Sequence, residues 1–235
     1  MKERMSEELV AMRAAKELKD GDYCNLGIGI PQLCASFVPE TVKVQTENGA
    51  LGYGPLLSFA DMEKLTQQPE LIDELMETRD PDLSDAGARA FSPAPGMSFF
   101  DLLTSFAMIR SHRLTSILGG LQVSEKGDLA IHSTSDQDPY PQIGGSMDLA
   151  WGAKRVIVAM THTAKDDTPK IVKKLSMPLS AGQCVDLIIT DLAVIEVTPE
   201  GLILKEIAPD WTAEEVQSLT EATLMPADDL KEVEL

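Results

Sequence analysis

Apolar positions recur at near-helical spacing over residues 3–19, where Met5, Leu9, Met12 and Leu18 are separated by charged residues, and Asp20-Gly21 ends the pattern. Residues 23–26 predict a short strand that runs into Gly27-Ile28-Gly29-Ile30-Pro31, with a second helix through Phe37. Over residues 41–46, Val42 and Val44 alternate with Lys43 and Gln45, the pattern of a half-buried strand. That strand ends at Thr46-Glu47-Asn48-Gly49. Residues 56–85 are polar and acidic, with a helical pattern around Met62, Leu65, Leu71, Leu75 and Met76.

Further on, Ser98 is expected to cap a helix over 99–110, with Leu102, Leu103, Phe106 and Ile109 spaced to face a sheet. Strands are expected at 116–118, 122–123, 156–160, 185–190 and 193–197, the last joined to 202–207 through a Pro199-Glu200-Gly201 hairpin. Thr212 and Glu215 make a capping box for a closing helix. Helices alternating with β-rich runs predict an α/β fold, an open and mostly parallel sheet flanked by helices. With 235 residues, no internal repeat and no linker, the expectation is a single domain over 1–235 carrying an unusual segment at about 56–85.

Composition narrows the function. Thirty-eight acids against 20 bases leave a net charge of -18, which disfavours nucleic acid and anionic membranes as partners. No uninterrupted apolar run approaches the roughly 20 residues of a membrane span. The charged start, MKERMSEELV, resembles no secretory signal or transit peptide, so a cytoplasmic chain is expected. Cys24, Cys34 and Cys184 read as reduced thiols, mostly buried. Neither they nor His112, His132 and His162 have metal-ligand spacing, so no metal is expected, and His162 reads as a satisfied structural histidine.

Glu47 is the first candidate for chemistry. It lies just past a strand end, where open α/β sheets place their sites, and small neighbours let a ligand approach. A carboxylate can attack an activated acyl carbon. The same residues also fit a hairpin turn, with Asn48-Gly49 at its tip and Glu47 a solvated flank. Gly27 and Gly29 have the tight spacing of a phosphate loop but lack the third glycine of a dinucleotide fingerprint and the lysine of a P-loop, leaving a packing turn as the alternative. Gly144-Gly145 can form an oxyanion hole or simply a turn. For Gly119-Gly120, backbone crowding is expected.

In order along the chain, NLGIGIP at 25–31, TENGALGYG at 46–54, PGMSFF at 95–100, SFAMIR at 105–110, QVS at 122–124, GDLA at 127–130 and GGSMDL at 144–149 resemble the β subunit of the family I coenzyme A transferases. The 3-oxoacid and 3-oxoadipate CoA-transferases belong to that group. The resemblance implies a ping-pong transfer of CoA between carboxylic acids, with Glu47 as nucleophile and a glutamyl-CoA thioester as intermediate. It implies Gly145 as a backbone oxyanion donor and Asn25 as a residue that helps to hold CoA. Gly27, Gly29, Asn48, Gly49 and Gly144 complete the expected CoA-binding set. CoA enters as substrate and no permanent cofactor is expected. An α subunit is implied, in a heterodimer or heterotetramer, with a 3-oxoacid such as acetoacetate as first-choice substrate. An acyl-CoA hydrolase and a sugar-phosphate isomerase-like sensor domain are the competing readings.

Two departures from the family pattern stand out. The 56–85 segment is longer than usual. The usual Asn-Ala-Gly-Lys reads Asp85-Ala86-Gly87-Ala88 here, with only Arg89 to replace the lysine.

Overall fold

The first helix, α1 (Glu7–Ala15), opens where Ser6 Oγ accepts the backbone N–H of Leu9 at 3.3 Å. The computed structural model describes residues 2–54, 56, 67–68, 80, 82–139 and 141–235. After α1 come β1 (Tyr23–Leu26), α2 (Ile30–Leu33) with a 3-10 turn at Cys34–Ser36, β2 (Lys43–Thr46) and β3 (Ala50–Leu51). The helical pattern around Met62 to Met76 lies outside the described residues. The chain resumes with β4 (Ser98–Phe99), α3 (Leu102–Ile109), β5 (Leu114–Leu118), β6 (Gln122–Ser124), β7 (Leu129–Ala130) and α4 (Ser146–Gly152). It continues through β8 (Arg155–Met160), β9 (Ile171–Val172), β10 (Leu187–Thr190), β11 (Ala193–Thr198) and β12 (Gly201–Ile207), and ends with α5 (Ala213–Ser218) and β13 (Leu224–Glu232).

Ten strands form one sheet in the order β13-β12-β11-β10-β8-β5-β1-β2-β3-β4. Its centre, β10-β8-β5-β1-β2, is parallel throughout. Strands buried on both faces read as continuous apolar runs, and alternate residues go to opposite sides. Leu118, Val158 and Ile188 join one core layer, while Ile117, Ile157 and Ile189 join the other beneath α1 and α2. Arg13 of α1 fixes that second layer to the sheet, its Nε and Nη2 donating to the Glu206 carboxylate at 2.8 and 2.9 Å. Three further strands, β7-β6-β9, make a small separate sheet. The α/β sheet expected from the sequence is the one observed.

The chain passes from β1 to β2 on one side, then returns to place β5 on the other side of β1. Ligands in open α/β sheets bind outside the carboxyl ends of the strands at such a reversal. Here those ends are Leu26, Thr46 and Leu118.

Three expectations need correction. Ser98 does not cap α3: it pairs with Leu51 in β4, and Asp101 caps the helix by accepting the Thr104 N–H at 3.0 Å. Nor does α3 turn its leucines to the sheet. It buries Ser105 and Ile109, and leaves Leu102 and Leu103 exposed. The helix is pinned along that narrow edge because Ser105 Oγ accepts a hydrogen bond from Gln45 at 2.7 Å. Finally, α5 has the expected Thr212–Glu215 capping box but does not close the fold. The acidic tail adds β13, parallel to β12, whose exposed Asp228 and Asp229 guard the sheet edge.

Candidate active site

Glu47 follows the last residue of β2, in a three-residue connection that turns back into antiparallel β3. Both readings of the TENG segment therefore meet: it is a hairpin turn, and it presents a carboxylate at a strand's carboxyl end. The solvated flank does not describe it. Glu47 is half-buried, and its Oε2 is buried with no hydrogen-bond partner. A buried unpaired acceptor in a native fold needs a reason, and a reacting group supplies one. Desolvation raises the carboxyl pKa above its usual value, the backbone N–H of Gly145 opposes that shift, and Asp148 adds to it.

Gly145 stands at the start of α4 with its amide against this carboxylate. A Cβ at residue 145 would overlap Glu47 Oε2 and approach Glu47 Cδ to 2.8 Å. Only glycine fits there.

The platform under Glu47 is polar and hydrogen-bonded. Asn25 Nδ2 donates to Gln45 O and Oε1 at 3.0 and 2.6 Å, and Gln45 Nε2 continues to Ser105 Oγ. Gln45 is thus buried, against the half-buried alternation read from the sequence. The next loop is stapled to the same strand end. Ala86 N donates to Thr46 Oγ1 at 2.8 Å, Thr46 Oγ1 donates to Asn48 Oδ1, and Asn48 Nδ2 donates to Ser84 O. Ala86 is thereby held beside Glu47.

Two cavities meet at Glu47. An outer cleft of about 430 Å³ runs over Gly27, Ile28, Gly119, Gly120 and residues 142–146. A smaller inner cavity of about 40 Å³ lies between Asn25, Thr46, Tyr53 and residues 85–87. The crowding expected at Gly119-Gly120 holds for Gly120 alone and comes from side chains rather than backbone: a Cβ there would come within 2.9 Å of Val158 Cγ1, whereas at Gly119 it would meet only Ile28 O at 3.7 Å.

A carboxylate aimed by an opposing amide between two cavities suits acyl transfer, and comparison with known proteins names the family. The model of the family described as Coenzyme A transferase matches residues 8–219. The chain belongs to the coenzyme A transferase family. It is 39% identical over 227 residues to one subunit of the 3-oxoadipate CoA-transferase of Acinetobacter baylyi, covering 95% of this chain and 97% of that one. It is 38% identical to the β subunit of the acetate CoA-transferase of Escherichia coli K12, covering 96% of both chains. Among solved structures, an acyl-CoA transferase from Escherichia coli O157:H7 superposes with a TM-score of 0.71 at 20% identity. That match covers 98% of this chain and 43% of the longer one.

Within this CoA-transferase chain, the sequence-predicted residues separate. Glu47, Gly145, Gly144 and Gly27 line the outer cleft, and Asn25 lines the inner cavity with its amide nitrogen already engaged. Gly29, Asn48 and Gly49 line neither cavity. Gly29 starts α2. Asn48 braces the 84–86 loop. Gly49, at φ +109°, lets the Phe100 carbonyl pass where a Cβ would overlap it. Arg89 is buried beside Asp85 and Tyr53 and lines neither cavity. The sequence reading missed Gln45, Ser105, Tyr53 and Asp85. Gln45 had a signal, since a polar residue out of step at the end of a buried strand needs a partner.

The other candidates are structural. His162 is fully buried between Thr190 Oγ1 and Thr220 Oγ1, at 2.9 and 2.8 Å from its ring nitrogens. All three cysteines are free, and burial pushes their thiols well above the usual range, unsuited to nucleophilic work. Among the described residues, no helix is long and apolar enough to cross a membrane.

Proposed function

We propose that this chain is the β subunit of a cytoplasmic acyl-CoA:carboxylate CoA-transferase in which Glu47 is the nucleophile. Glu47 attacks the thioester carbonyl, the C–S bond breaks, and the CoA thiolate leaves a mixed anhydride. The thiolate then attacks the glutamyl carbonyl of the anhydride, and the donor's acyl group departs as its carboxylate. The remaining glutamyl-CoA thioester is attacked by the acceptor carboxylate, and the same steps in reverse release the new acyl-CoA and free Glu47. A 3-oxoacid such as acetoacetate is the first-choice substrate. The observation that carries this reading is the half-buried Glu47 carboxylate facing the Gly145 amide, with its Oε2 buried and unpartnered. Developing negative charge on the attacked carbonyl is stabilised by such a fixed donor.

The α subunit docks on the face formed by α3 and α4, giving a heterodimer or heterotetramer. Leu103 is 83% and Trp151 71% exposed there, with Leu102 and Phe99 beside them. Apolar exposure of that kind marks an interface. The face adjoins Gly145, so an occupant would complete the cleft. Among the described residues lining the two cavities there is no lysine or arginine, so cationic contacts to CoA's phosphates fall to that partner. Replacing Glu47 with Gln in the assembled enzyme tests the proposal: CoA exchange is lost while assembly persists, and retained exchange rejects Glu47 as nucleophile.

A further inference from the structure

The carbon that Glu47 attacks carries two arms, a thiol arm and an acyl arm, and the chain offers two unequal spaces at Glu47. The pantetheine arm of CoA needs an open path of several hundred Å³, which the outer cleft of about 430 Å³ provides. The inner cavity of about 40 Å³ cannot take it. At roughly 10–15 Å³ per water-sized group, that space holds about three to four such groups.

Resting on the reading of Glu47 as nucleophile, we infer that the inner cavity is the acyl subsite, and that Asp85 and the packing behind it restrict the subsite to short tails without a charge. Leu26, Ile28 and Leu149 supply apolar wall, and Asp85 supplies a carboxylate. Both Asp85 oxygens are held as acceptors, one by Gln32 Nε2 at 3.0 Å and the other by Arg89 N at 2.9 Å. A second carboxylate on the tail would meet that fixed carboxylate at close range in the small cavity, where like charges repel. Arg89, the cation whose charge acts on Asp85, lines neither cavity.

The walls resist enlargement. Tyr53 is stacked on Phe91 with ring centroids 4.6 Å apart. Gly87 is packed so tightly that a Cβ would overlap Gln32 Nε2. Acetyl and acetoacetyl groups match this space. Succinyl fails on charge, and hexanoyl fails on length.

The test uses the enzyme assembled with its α partner, incubated separately with acetyl-, acetoacetyl-, succinyl- and hexanoyl-CoA, with the CoA adduct on this chain followed by intact mass. The first two load at least about 100-fold faster than the last two. Asp85→Asn raises the ratio of succinyl to acetyl loading about 10-fold. Ala86→Val, which narrows the space beside Glu47 while keeping the Asp85 carboxylate, slows acetoacetyl loading more than acetyl loading. Equal loading from all four acyl-CoAs by the unmodified enzyme overturns the subsite and leaves Glu47 as nucleophile. No adduct from any of the four rejects the Glu47 chemistry itself.

Discussion

The backbone amide of Gly145 faces the carboxylate of Glu47 so closely that a single methyl group at residue 145 would occupy the space of Glu47 Oε2. The pair joins the end of β2 to the start of α4. Gly145→Ala should therefore displace Glu47 while leaving the sheet intact. CoA loading falls about 100-fold or more, the loss typical of one misplaced oxyanion donor. Stopped-flow loading, with circular dichroism as a folding control, checks this. Loading within a few-fold of the unmodified enzyme would show that the close approach has no catalytic role.

The proposed attack requires an ionised Glu47, and burial raises its pKa, with Asp148 adding to the rise. Loading should thus fall on acidification along a limb centred above the ordinary glutamate value of about 4.3. Asp148→Asn removes the like charge and moves that limb to lower pH. A limb that stays in place, or moves upward, contradicts the assigned cause.

The proposed docking face centres on the exposed leucines of α3. Leu103→Asp places a charge at its centre and should weaken association with the α subunit at least about 100-fold, as at an interface hot spot. Because Leu103 is 83% exposed in this chain, the melting temperature of the separate chain should change little. Sedimentation of the mixed subunits reads the outcome, and an unaffected complex places the interface elsewhere.

The alternation of elements and the apolar runs of β8 and β10 made the parallel sheet legible in the sequence, and the Thr212–Glu215 capping box located α5. What stayed hidden depends on partners distant in sequence. Leu102 and Leu103 have the spacing of a core-facing helix, and periodicity does not distinguish a core from a docking face. Strand β13 is acidic and lies at an edge, so it carries no burial pattern that would announce a strand. Glu47 and Gly145 were each visible as strand-end and glycine-turn candidates, but their juxtaposition comes from the fold. The inner cavity was less accessible still, since Asp85 is held there by Gln32, distant in sequence, and by the Thr46–Ala86 staple beside it.

His162 makes stability sensitive to acid. Burial, joined by Arg4 and Lys170 and opposed by Asp191, lowers its pKa to about 4 from the ordinary 6.5. The unfolded chain therefore takes up the proton first as pH falls. The contribution of His162 is intact above about pH 6.5 and lost progressively towards pH 4, about 3 kcal/mol in all. Urea unfolding of the unmodified chain and of His162→Gln at pH 7 and pH 4.5 isolates this share. The difference between them should shrink on acidification, and a constant difference would contradict the assignment.

The central claim is that Glu47 carries CoA covalently. The most direct measurement is intact-mass analysis, followed by peptide mapping, of the assembled α–β enzyme incubated with acetyl-CoA. The account predicts one CoA-sized adduct on this chain, mapped to Glu47, discharged by an acceptor carboxylate and missing from Glu47→Gln. An adduct on any other residue, or an active enzyme that never acquires one, would contradict it.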